Sequence, residues 1–383
     1  MRIAQIAPLQ VAVPPHGYGG TERVVYELTE ALVQLGHEVT LFASGDSHTS
    51  ARLVATVERA INFDPAMDAT AYHIGMLEDV YGDADRFDVI HSHLDYLTLP
   101  FARRSATPTV LTLHGDLTTL NAQRAYPRYP NANYVSISNA QRASLPDLHY
   151  VATIHHGVDV QSFPFIAEPG EYLAFVGRMS SEKRPDVAIE IALRAGIPLK
   201  LAAKVDHNEL PYFDGVIRPL LNHPLIEWLG EVDEAAKRDL MAHALALLVP
   251  IGWHEPFGMV FIEALACGTP VLTCPTGAAP ELLEDGVTGY SSMDKETLVA
   301  AARKVSRISR RGCRDYALQR FDTRVMAAKY LNVYQQALGT ERLLLPWSRE
   351  PPIADVDGRS HVNDANNVNG VNGADEAYDA HHH

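Results

Sequence analysis

Two glutamates, Glu255 and Glu263, interrupt an otherwise apolar stretch that reads HEPFGMVFIEALACGTPV from His254. Burying an ionised carboxylate costs several kcal/mol unless a partner compensates it, so we expect each glutamate to meet a cation or a polar ligand. Pro256 suits the first position of a helix, and Gly258 removes side-chain bulk near the helix start. The pattern therefore predicts a helix whose first turn is open to a ligand.

The start of this predicted helix would present the backbone N–H groups of Phe257, Gly258 and Met259. Eight residues of helix rise about 12 Å and differ in rotation by about 80°, so Glu255 and Glu263 can face one groove without touching. Glycosidase carboxylates lie about 5 to 9.5 Å apart, which argues against a hydrolytic pair here. The spacing suits an elongated ligand held at two places, and a nucleotide diphosphate sugar has that shape.

Two cations, Arg178 and Lys183, follow a strand-like run in the segment FVGRMSSEKRP, just before a predicted helix. The dipole of a helix favours negative charge at its start, and both cations form charge-assisted hydrogen bonds to phosphate. They are a candidate diphosphate clamp, with solvated surface charge as the alternative. We interpret Arg184 as an ordinary surface cation.

Paired glycines, Gly19 and Gly20, lie in HGYGGTERVV between the first strand and the first helix. They would allow the backbone to approach an anion closely at the helix start. The dinucleotide pattern G-x-G-x-x-G is missing, and a turn that only lets the helix pack is an equal alternative.

Histidines end two predicted strands of the first half, with His91 and His93 on one and His114 on the other. Converging histidines can bind metal, but no cysteine or carboxylate lies at ligand spacing, and we predict no metal site. Two D-x-D triplets, at 83–85 and 355–357, are interpreted as solvated charge.

Apolar strand-like runs alternate with amphipathic helical runs, which is typical of parallel sheets covered on both faces. The predicted strands are RIAQIAP, HEVTLFAS, FDVIHSH, TPTVLTLHG, YVSIS, EYLAFVG, PLKLAA, PLIEWLG, LALLVPI and TPVLTC. The pattern lapses between Gly157 and Glu171, where prolines and glycines cluster, and this predicts a hinge. The fold class is therefore α/β, with two Rossmann-like halves and a crevice between them.

Domain boundaries follow from the same alternation. We predict domains at 1–160 and 161–320, a C-terminal helix at 321–346 that reaches back to the first domain, and a disordered acidic tail at 347–383. The tail is rich in Asn, Asp and Gly and has too little apolar content to fold.

Composition excludes several classes of protein. The formal charge of −15 comes with no Lys/Arg-rich run, which disfavours nucleic-acid binding and a polybasic membrane footprint. No apolar stretch approaches the roughly 20 residues that cross a bilayer. Three cysteines without a C-x-x-C pair fit a reducing compartment, so we expect a cytoplasmic protein, with Cys267 packed against the core.

Six motifs occur in a characteristic order: GGTERVV, TLHG, VGRMSSEKRP, LGEV, HEPFGMVFIEALACGTPV and GAAPELLEDGVTGY. In them the chain resembles glycosyltransferase family 4, from Met1 to Gly339. The E-x7-E pattern, together with R-x4-K, is the most specific part. The resemblance implies a GT-B fold, in which two Rossmann-like domains face each other across a cleft. It also implies retaining, metal-independent transfer with no cofactor beyond the nucleotide-sugar co-substrate.

The resemblance also implies roles for single residues. Arg178 and Lys183 would neutralise the diphosphate as it leaves, Glu255 would bind hydroxyls of the donor sugar, and Glu263 would bind those of the ribose. His114 would contact the sugar near the reacting carbon. The catalytic set is thus His114, Arg178, Lys183 and Glu255.

Further donor contacts would come mainly from backbone. Phe257, Gly258 and Met259 would hold the sugar and phosphate, and Gly19 and Gly20 would approach the phosphates from the first domain, on the acceptor side. The segment from Leu229 to Val232, including Gly230, would lie against the base.

The chain departs from the family pattern in two places, at His155-His156-Gly157 and at LAAKVD, where Lys204 could reach the donor. Loops of the first half that could line the acceptor site carry five further candidates, of which Tyr18, Asp116 and Tyr126 are the main ones: His16, Tyr18, Asp116, Arg124 and Tyr126.

These observations predict a hexosyltransferase that uses a UDP-glucose or GDP-mannose type donor. The acceptor would be a hydroxyl of a saccharide, a lipid-linked saccharide or a small molecule, with at most peripheral membrane contact and no nucleic acid. Two alternatives stay open: a GT-B epimerase or hydrolase of nucleotide sugars, and a non-catalytic protein that binds nucleotide sugars.

Overall fold

The computed structural model describes residues 1–339 except 18, 63 and 65. The first half of the chain contains the strands β1 (Arg2–Ile6), β2 (Glu38–Ser44), β3 (Arg52–Val57), β4 (Val89–Ser92), β5 (Thr109–Leu113), β6 (Asn133–Ser136) and β7 (Tyr150–Thr153). The second half contains β8 (Leu173–Arg178), β9 (Leu199–Lys204), β10 (Ile226–Gly230), β11 (Ala246–Val249), β12 (Val271–Thr273) and β13 (Gly289–Ser291).

Helices follow most of these strands. Those before β8 are α1 (Gly20–Gln34), α2 (Ala69–Gly82), α3 (Leu99–Ala102), α4 (Leu120–Ala125) and α5 (Asn139–Arg142). Those after β8 are α6 (Pro185–Ala195), α7 (Leu210–Tyr212), α8 (Arg218–Leu220), α9 (Glu234–Ala242), α10 (Met259–Ala266), α11 (Ala279–Leu282), α12 (Lys295–Lys304), α13 (Arg310–Arg320) and α14 (Thr323–Ala337).

Two parallel sheets organise the described part of the chain. Their strand orders are β3-β2-β1-β4-β5-β6-β7 and β10-β9-β8-β11-β12-β13, with every pairing parallel. In each sheet the order reverses beside the first strand, between β1 and β4 and between β8 and β11. Ligands of such sheets bind beyond the carboxyl ends of the strands at this reversal. The α/β fold class predicted from the sequence is confirmed.

The last helix, α14, packs against the first sheet. Its residues Met326, Tyr330 and Tyr334 share one fully buried cluster with Val24 and Leu28 of α1. The three α14 positions are four residues apart and therefore lie on one face of the helix. The C-terminal helix thus returns to the first half, as predicted from the sequence.

The chain crosses between the sheets twice, after β7 and before α14, and the two crossings pair with each other. The N–H of Val158 donates to the carbonyl of Phe321 at 2.9 Å, and the N–H of Thr323 donates to the carbonyl of Val158 at 3.1 Å. A Cβ on Gly157 would lie 3.1 Å from the Asp322 carbonyl oxygen, so glycine allows this close approach. The crossings lie near the boundaries predicted at residues 160 and 320.

Direct contacts also join the two halves beside the crossings. The Glu281 carboxylate accepts hydrogen bonds from the N–H groups of Asn139 and Ala140, at 2.8 and 2.7 Å. Ser138 Oγ donates to the Pro256 carbonyl at 2.7 Å. These bonds fix the start of α5 against α11 and against the loop that carries Glu255.

Among the described residues, no helix is long and apolar enough to cross a membrane. Cys267 is fully buried, and its pKa is raised to about 12 by that burial, which fits the predicted packing role. The D-x-D triplet at 83–85 is partly paired, since Asp83 accepts from Arg86 at 2.7 Å. Residues 340–383, including the predicted tail and its second triplet, lie outside the described residues.

Candidate active site

A cavity of about 530 Å³, called the cleft from here on, is lined by residues that follow strands of both sheets. It brings together most of the residues predicted from the sequence. These are Gly19, Gly20, His114, Asp116, Arg178, Lys183, Val232, Glu255, Phe257, Gly258, Met259 and Glu263. A second cavity, of about 790 Å³, lies beside β1, β2 and β3, and its lining contains none of them.

The start of α1 forms part of the cleft wall. The helix begins at Gly20, and no side chain caps it in the described structure. A Cβ on Gly19 would lie 2.8 Å from the Cβ of Pro15, whereas a Cβ on Gly20 would meet no atom within 4 Å. Gly19 therefore serves the turn, and the backbone at Gly20 is open to an approaching anion. Nearby, Glu22 also lines the cleft, and burial raises its pKa.

Arg178 is the last residue of β8, at the carboxyl edge of the second sheet. Its guanidinium lies 3.3 Å from a Glu182 oxygen and 3.9 Å from an Asp206 oxygen. Its Nε is buried and has no hydrogen-bond partner among the described residues. A buried donor without a partner is costly, so this atom can gain from binding an anion.

Lys183 and Glu255 form an ion pair between Nζ and Oε2. Both side chains are mostly buried, with 16% and 13% of their surfaces exposed. The indole N–H of Trp253 donates to the same carboxylate at 3.0 Å. The partner that the sequence required for Glu255 is therefore the cation predicted to bind phosphate, and both groups line one cleft.

Helix α10 begins later than predicted. The prediction placed Pro256 at the first helical position, but the helix starts at Met259, with Gly258 as the preceding residue at φ +90°. A Cβ on Gly258 would lie 2.9 Å from the ring of Phe261. Since Glu255 lies in the loop before the helix, the predicted helical rise and rotation from Glu255 do not apply. Both glutamates still line the cleft.

Glu263 lies inside α10 and is 3% exposed. Its compensating cation is Lys237 of α9, whose Nζ lies 3.0 Å from the carboxylate. The same ammonium contacts Glu234 at 2.9 Å, and Glu234 contacts Arg23 of α1 at 3.1 Å. This ion network crosses the cleft from one half to the other.

Three members of this network, Arg23, Glu234 and Lys237, were not predicted from the sequence. Asp233 caps α9 by accepting from the N–H of Ala236 at 2.8 Å, which places Glu234 and Lys237 one turn apart on the helix. The segment DEAAKRD contains that cap and pair, and it was the available signal. Burial opposes ionisation of Glu234, but Lys237 and Arg23 lower its pKa overall.

Gly277 packs closely against the backbone of Glu255. Its φ is +56°, and a Cβ there would lie 2.3 Å from the carbonyl oxygen of Glu255. The N–H of Ala278 donates to that carbonyl at 3.0 Å. The motif GAAPE thus positions Glu255, a relation that no local pattern indicates.

Three histidines meet at the first-half wall of the cleft. Nε2 of His114 lies 2.8 Å from Nδ1 of His93, and the rings of His114 and His156 stack with centroids 5.1 Å apart. His156 also contacts the ring of Phe257 at 4.7 Å. Burial lowers the pKa of His114 to about 3 and lowers those of His93 and His156 well below their usual range. All three rings are therefore neutral near pH 7.

The predicted base-binding segment is only partly in the cleft. Val232 lines it, as does Lys204, which pairs with Asp206 at 2.9 Å. Gly230 ends β10 at φ +75°, where the pairing with β9 shifts register, and does not line the cleft. A glycine suits this position because the backbone at the end of β10 adopts a positive φ.

The acceptor predictions separate into three outcomes. Asp116 lines the cleft and holds Thr118 through hydrogen bonds of 2.8 Å. Tyr126 does not line it, because its ring is 2% exposed in an apolar cluster and its hydroxyl donates to Asp95 at 3.2 Å. Tyr18 lies outside the described residues. Of the secondary candidates, neither His16 nor Arg124 lines the cleft in the described structure.

No group of three or more His, Cys, Asp or Glu side chains is placed to hold a metal ion in the part of the chain that the structure describes. The histidines of the first-half wall instead bond or stack with one another.

Two mycobacterial enzymes are similar to this chain over most of its length. A phosphatidyl-myo-inositol mannosyltransferase of Mycobacterium tuberculosis is 27% identical, over 89% of this chain and 98% of its own. A glycogen synthase of the same organism is 26% identical, over 86% of this chain and 94% of its own.

Solved structures share the fold. AviGT4, a glycosyltransferase involved in avilamycin A biosynthesis, superposes with a TM-score of 0.70 at 25% identity, covering 88% of this chain and 98% of its own. HepE of Anabaena, solved with UDP and glucose, gives 0.68 at 18% identity, covering 88% and 100%; at this identity the likeness concerns the fold alone.

Two family descriptions match consecutive parts of the chain. Residues 18–162 match Glycosyltransferase Family 4, and residues 161–319 match Glycosyl transferases group 1. The matches meet where the chain first crosses between the sheets. The chain belongs to glycosyltransferase family 4 and is a glycosyltransferase of the GT-B fold.

Proposed function

We propose that this enzyme transfers a hexose from a nucleotide diphosphate sugar, of the UDP-glucose or GDP-mannose type, to a hydroxyl acceptor. We further propose that transfer retains the anomeric configuration and requires no metal or other cofactor. One observation carries the proposal: Arg178, Lys183, the open start of α1 and both glutamates line a single cleft.

The diphosphate would lie between Arg178, Lys183 and the backbone at Gly20. Negative charge grows on the diphosphate as the bond to the sugar breaks, so fixed positive groups there stabilise the transition state more than the bound donor. In other sites a divalent cation stabilises this charge. Here Arg178, Lys183 and the start of α1 can do so instead, which supports the proposal that no metal is required. Nζ of Lys183 has three N–H donors, so it can bind phosphate while keeping one bond to Glu255.

The two glutamates would hold the donor at either end. Glu255 would accept hydrogen bonds from hydroxyls of the hexose, and Glu263 from those of the ribose. Each carboxylate is already held in place by a cation, Lys183 for Glu255 and Lys237 for Glu263. Charged acceptors that are positioned in advance bind hydroxyls without paying for reorganisation.

Retention would follow from attack on the face of the sugar from which the diphosphate leaves. In this scheme the acceptor oxygen bonds to the sugar as the bond to the diphosphate breaks, and an oxygen of the leaving phosphate accepts the proton of the acceptor hydroxyl. The protein contributes positioning and charge stabilisation. The neutral His114 would contact the sugar beside the reacting carbon. Closure of the halves, joined across the cleft by Arg23 and Glu234, would exclude water.

The acceptor would be a saccharide, a lipid-linked saccharide or a small molecule. The names of two relatives support this range, since one is a phosphatidyl-myo-inositol mannosyltransferase and another a glycogen synthase. We propose a cytoplasmic enzyme with at most peripheral membrane contact and no nucleic-acid partner.

A donor panel tests the proposal without knowledge of the acceptor. A ligand at 100 times its dissociation constant adds about 2.7 kcal/mol to the free energy of unfolding, which a thermal-shift assay resolves. We expect one UDP- or GDP-sugar to raise the melting temperature of the protein. With that donor, the enzyme should release nucleoside diphosphate only when an acceptor is present. Donor turnover without any acceptor would favour the epimerase or hydrolase, and binding without turnover would favour the non-catalytic alternative.

Two further measurements address retention and metal. NMR of the first product should show the same anomeric configuration as the donor, and an inverted product would refute the retaining scheme. Excess EDTA should leave the initial rate unchanged. A loss of rate that Mg²⁺ or Mn²⁺ restores would refute metal independence.

A further inference from the structure

A chain of buried polar side chains leads from His114, at the cleft, to the C-terminal helix. His114 bonds to His93 at 2.8 Å, His93 bonds to Gln5 of β1 at 2.9 Å, and Gln5 bonds to the hydroxyl of Tyr334 of α14 at 3.3 Å. The hydroxyl of Tyr334 then bonds to His91 at 2.6 Å. The glycosyltransferase mechanism described above uses only the first member of this chain.

The side-chain amide of Gln5 has one group that donates hydrogen bonds and one that accepts them. Its amide nitrogen faces the Tyr334 hydroxyl, and its amide oxygen faces Nε2 of His93. An amide nitrogen can only donate, and an amide oxygen can only accept. Gln5 is completely buried, so water cannot replace either partner. The amide therefore gives the chain a direction.

That direction passes through His93 to His114. Because the amide oxygen of Gln5 accepts, Nε2 of His93 must carry the proton. A neutral imidazole carries one N–H only, so Nδ1 of His93 is an acceptor and Nε2 of His114 must donate to it. Burial keeps both rings neutral.

Nδ1 of His114 is consequently left as an acceptor. It is buried and has no hydrogen-bond partner among the described residues. A buried polar atom without a partner calls for an explanation, and the ring that carries it lines the cleft.

We propose that Gln5 is a positioning residue that acts through His93 to hold His114 in the Nε2–H tautomer, leaving Nδ1 to accept a hydrogen bond from a hydroxyl of the bound sugar. The identity of the sugar rests on the proposed function, whereas the tautomer does not. Tyr334 anchors Gln5, so the returning helix α14 helps to set the polarity of the cleft wall.

The other side of the chain agrees with this direction. The Tyr334 hydroxyl accepts from Gln5 and donates to Nδ1 of His91, whose Nε2 then donates to Thr112 at 2.7 Å. The hydroxyl of Thr112 can in turn donate a hydrogen bond to the hydroxyl of Tyr330, 2.9 Å away. With Gln5 in this orientation, every hydrogen bond from His114 to Tyr330 has one donor and one acceptor. Reversing the amide of Gln5 would reverse every bond and make Nδ1 of His114 a donor.

The test is the nitrogen-15 NMR spectrum of the histidine rings in the full chain, without any sugar present. Neutral tautomers give distinct ring-nitrogen shifts, and His114→Asn identifies the signals of His114. We expect protonated Nε2 and unprotonated Nδ1 in both His93 and His114. A protonated Nδ1 in His114 would overturn the proposal. The result does not depend on which donor binds, or on whether any binds.

A variant tests the role of Gln5 itself. Gln5→Leu removes the amide oxygen, and we expect His114 to show a mixture of tautomers. Transfer should slow by up to about 100-fold in kcat, the order of loss for a misplaced catalytic group. Ser136→Ala is the matched control. It removes a hydrogen bond of 2.8 Å to Thr153 in the same sheet, and neither residue belongs to the hydrogen-bonded series from His114 to Tyr330. A single Nε2–H tautomer in Gln5→Leu would show that Gln5 does not fix His114, and if that variant does not fold, the spectrum of the unaltered protein decides.

Discussion

Replacing Lys183 with alanine removes one of the two cations proposed to neutralise the leaving diphosphate. The ammonium is well placed for this role, because it lies in the cleft with Arg178 and only 16% of the Lys183 side chain is exposed to water. It also contacts the ring of Trp253, with Nζ 5.6 Å from the ring centroid. The substitution therefore removes a charge that water reaches poorly.

The expected loss of activity is large. Removing one group that stabilises developing charge in an enclosed site lowers kcat by about 10² to 10³, or about 2.7 to 4 kcal/mol. Arg178 and the start of α1 remain in Lys183→Ala, so we expect a value near the lower end of this range. Lys183→Arg keeps the positive charge and should lose less.

Stability must be separated from catalysis in this experiment. Without Lys183, Glu255 keeps the hydrogen bond from Trp253, at 3.0 Å, as compensation. Breaking a fully buried ion pair costs about 3 to 5 kcal/mol, but this pair is partly exposed, so we expect a cost of about 1 to 2 kcal/mol. Thermal melting at neutral pH measures this cost directly.

The assay is release of nucleoside diphosphate at saturating donor and acceptor. Lys200→Ala is the matched control, because Lys200 also pairs with a carboxylate, Glu227 at 3.4 Å, but lies outside the cleft. The control should keep wild-type kcat. A folded Lys183→Ala protein with kcat within about twofold of wild type would refute the assigned clamp.

Three further predictions concern other parts of the structure. Gly277→Ala should unfold the Glu255 loop locally and lower both kcat and melting temperature, since its Cβ would lie 2.3 Å from the Glu255 carbonyl oxygen; wild-type kinetics would refute this close approach. Tyr126→Phe should leave kcat unchanged but cost about 1 to 3 kcal/mol in thermal or denaturant unfolding, because it removes the 3.2 Å bond to the partly buried carboxylate of Asp95; a selective loss of acceptor affinity would return Tyr126 to the acceptor site. Burial raises the pKa of Glu27 from 4.5 to about 7, so the folded state binds more protons than the unfolded state between these values and stability falls as pH rises. Glu27→Gln should therefore raise the melting temperature more at pH 8 than at pH 5, and an equal effect at both would contradict the assignment.

Most of the central strands could be predicted from the sequence because they are buried on both faces. The continuous apolar runs of β5 (TVLTL) and β11 (ALLV) leave few alternatives to a strand in a parallel sheet. Three edge strands, β3, β7 and β13, were missed. Their residues are mostly half exposed, so they lack the apolar run that identifies a central strand.

Helix α2 was also missed, for a different reason. Its sequence, ATAYHIGMLEDVYG, spreads apolar residues around the helix, and Tyr72 and Ile74 remain exposed. The periodicity that marks an amphipathic helix is therefore weak. Burial of Met76, Leu77 and Val80 against the first sheet stabilises it instead.

The candidate site could be predicted where residue type and spacing alone carry the information. Arg178, Lys183, Glu255 and Glu263 have such spacing, and all four line the cleft. Their partners could not be predicted in the same way. The contacts of Gly277 with Glu255 and of Arg23 with Glu234 join segments far apart in the chain, and only the folded structure brings them together.

The most direct test of the central claim is a crystal structure of the enzyme with the nucleoside diphosphate of its donor. We expect diphosphate oxygens within hydrogen-bond distance, about 3 Å, of Arg178 and Lys183, with the ribose hydroxyls on Glu263. A nucleotide bound instead in the second cavity, beside Arg2 and Arg52, would contradict the account.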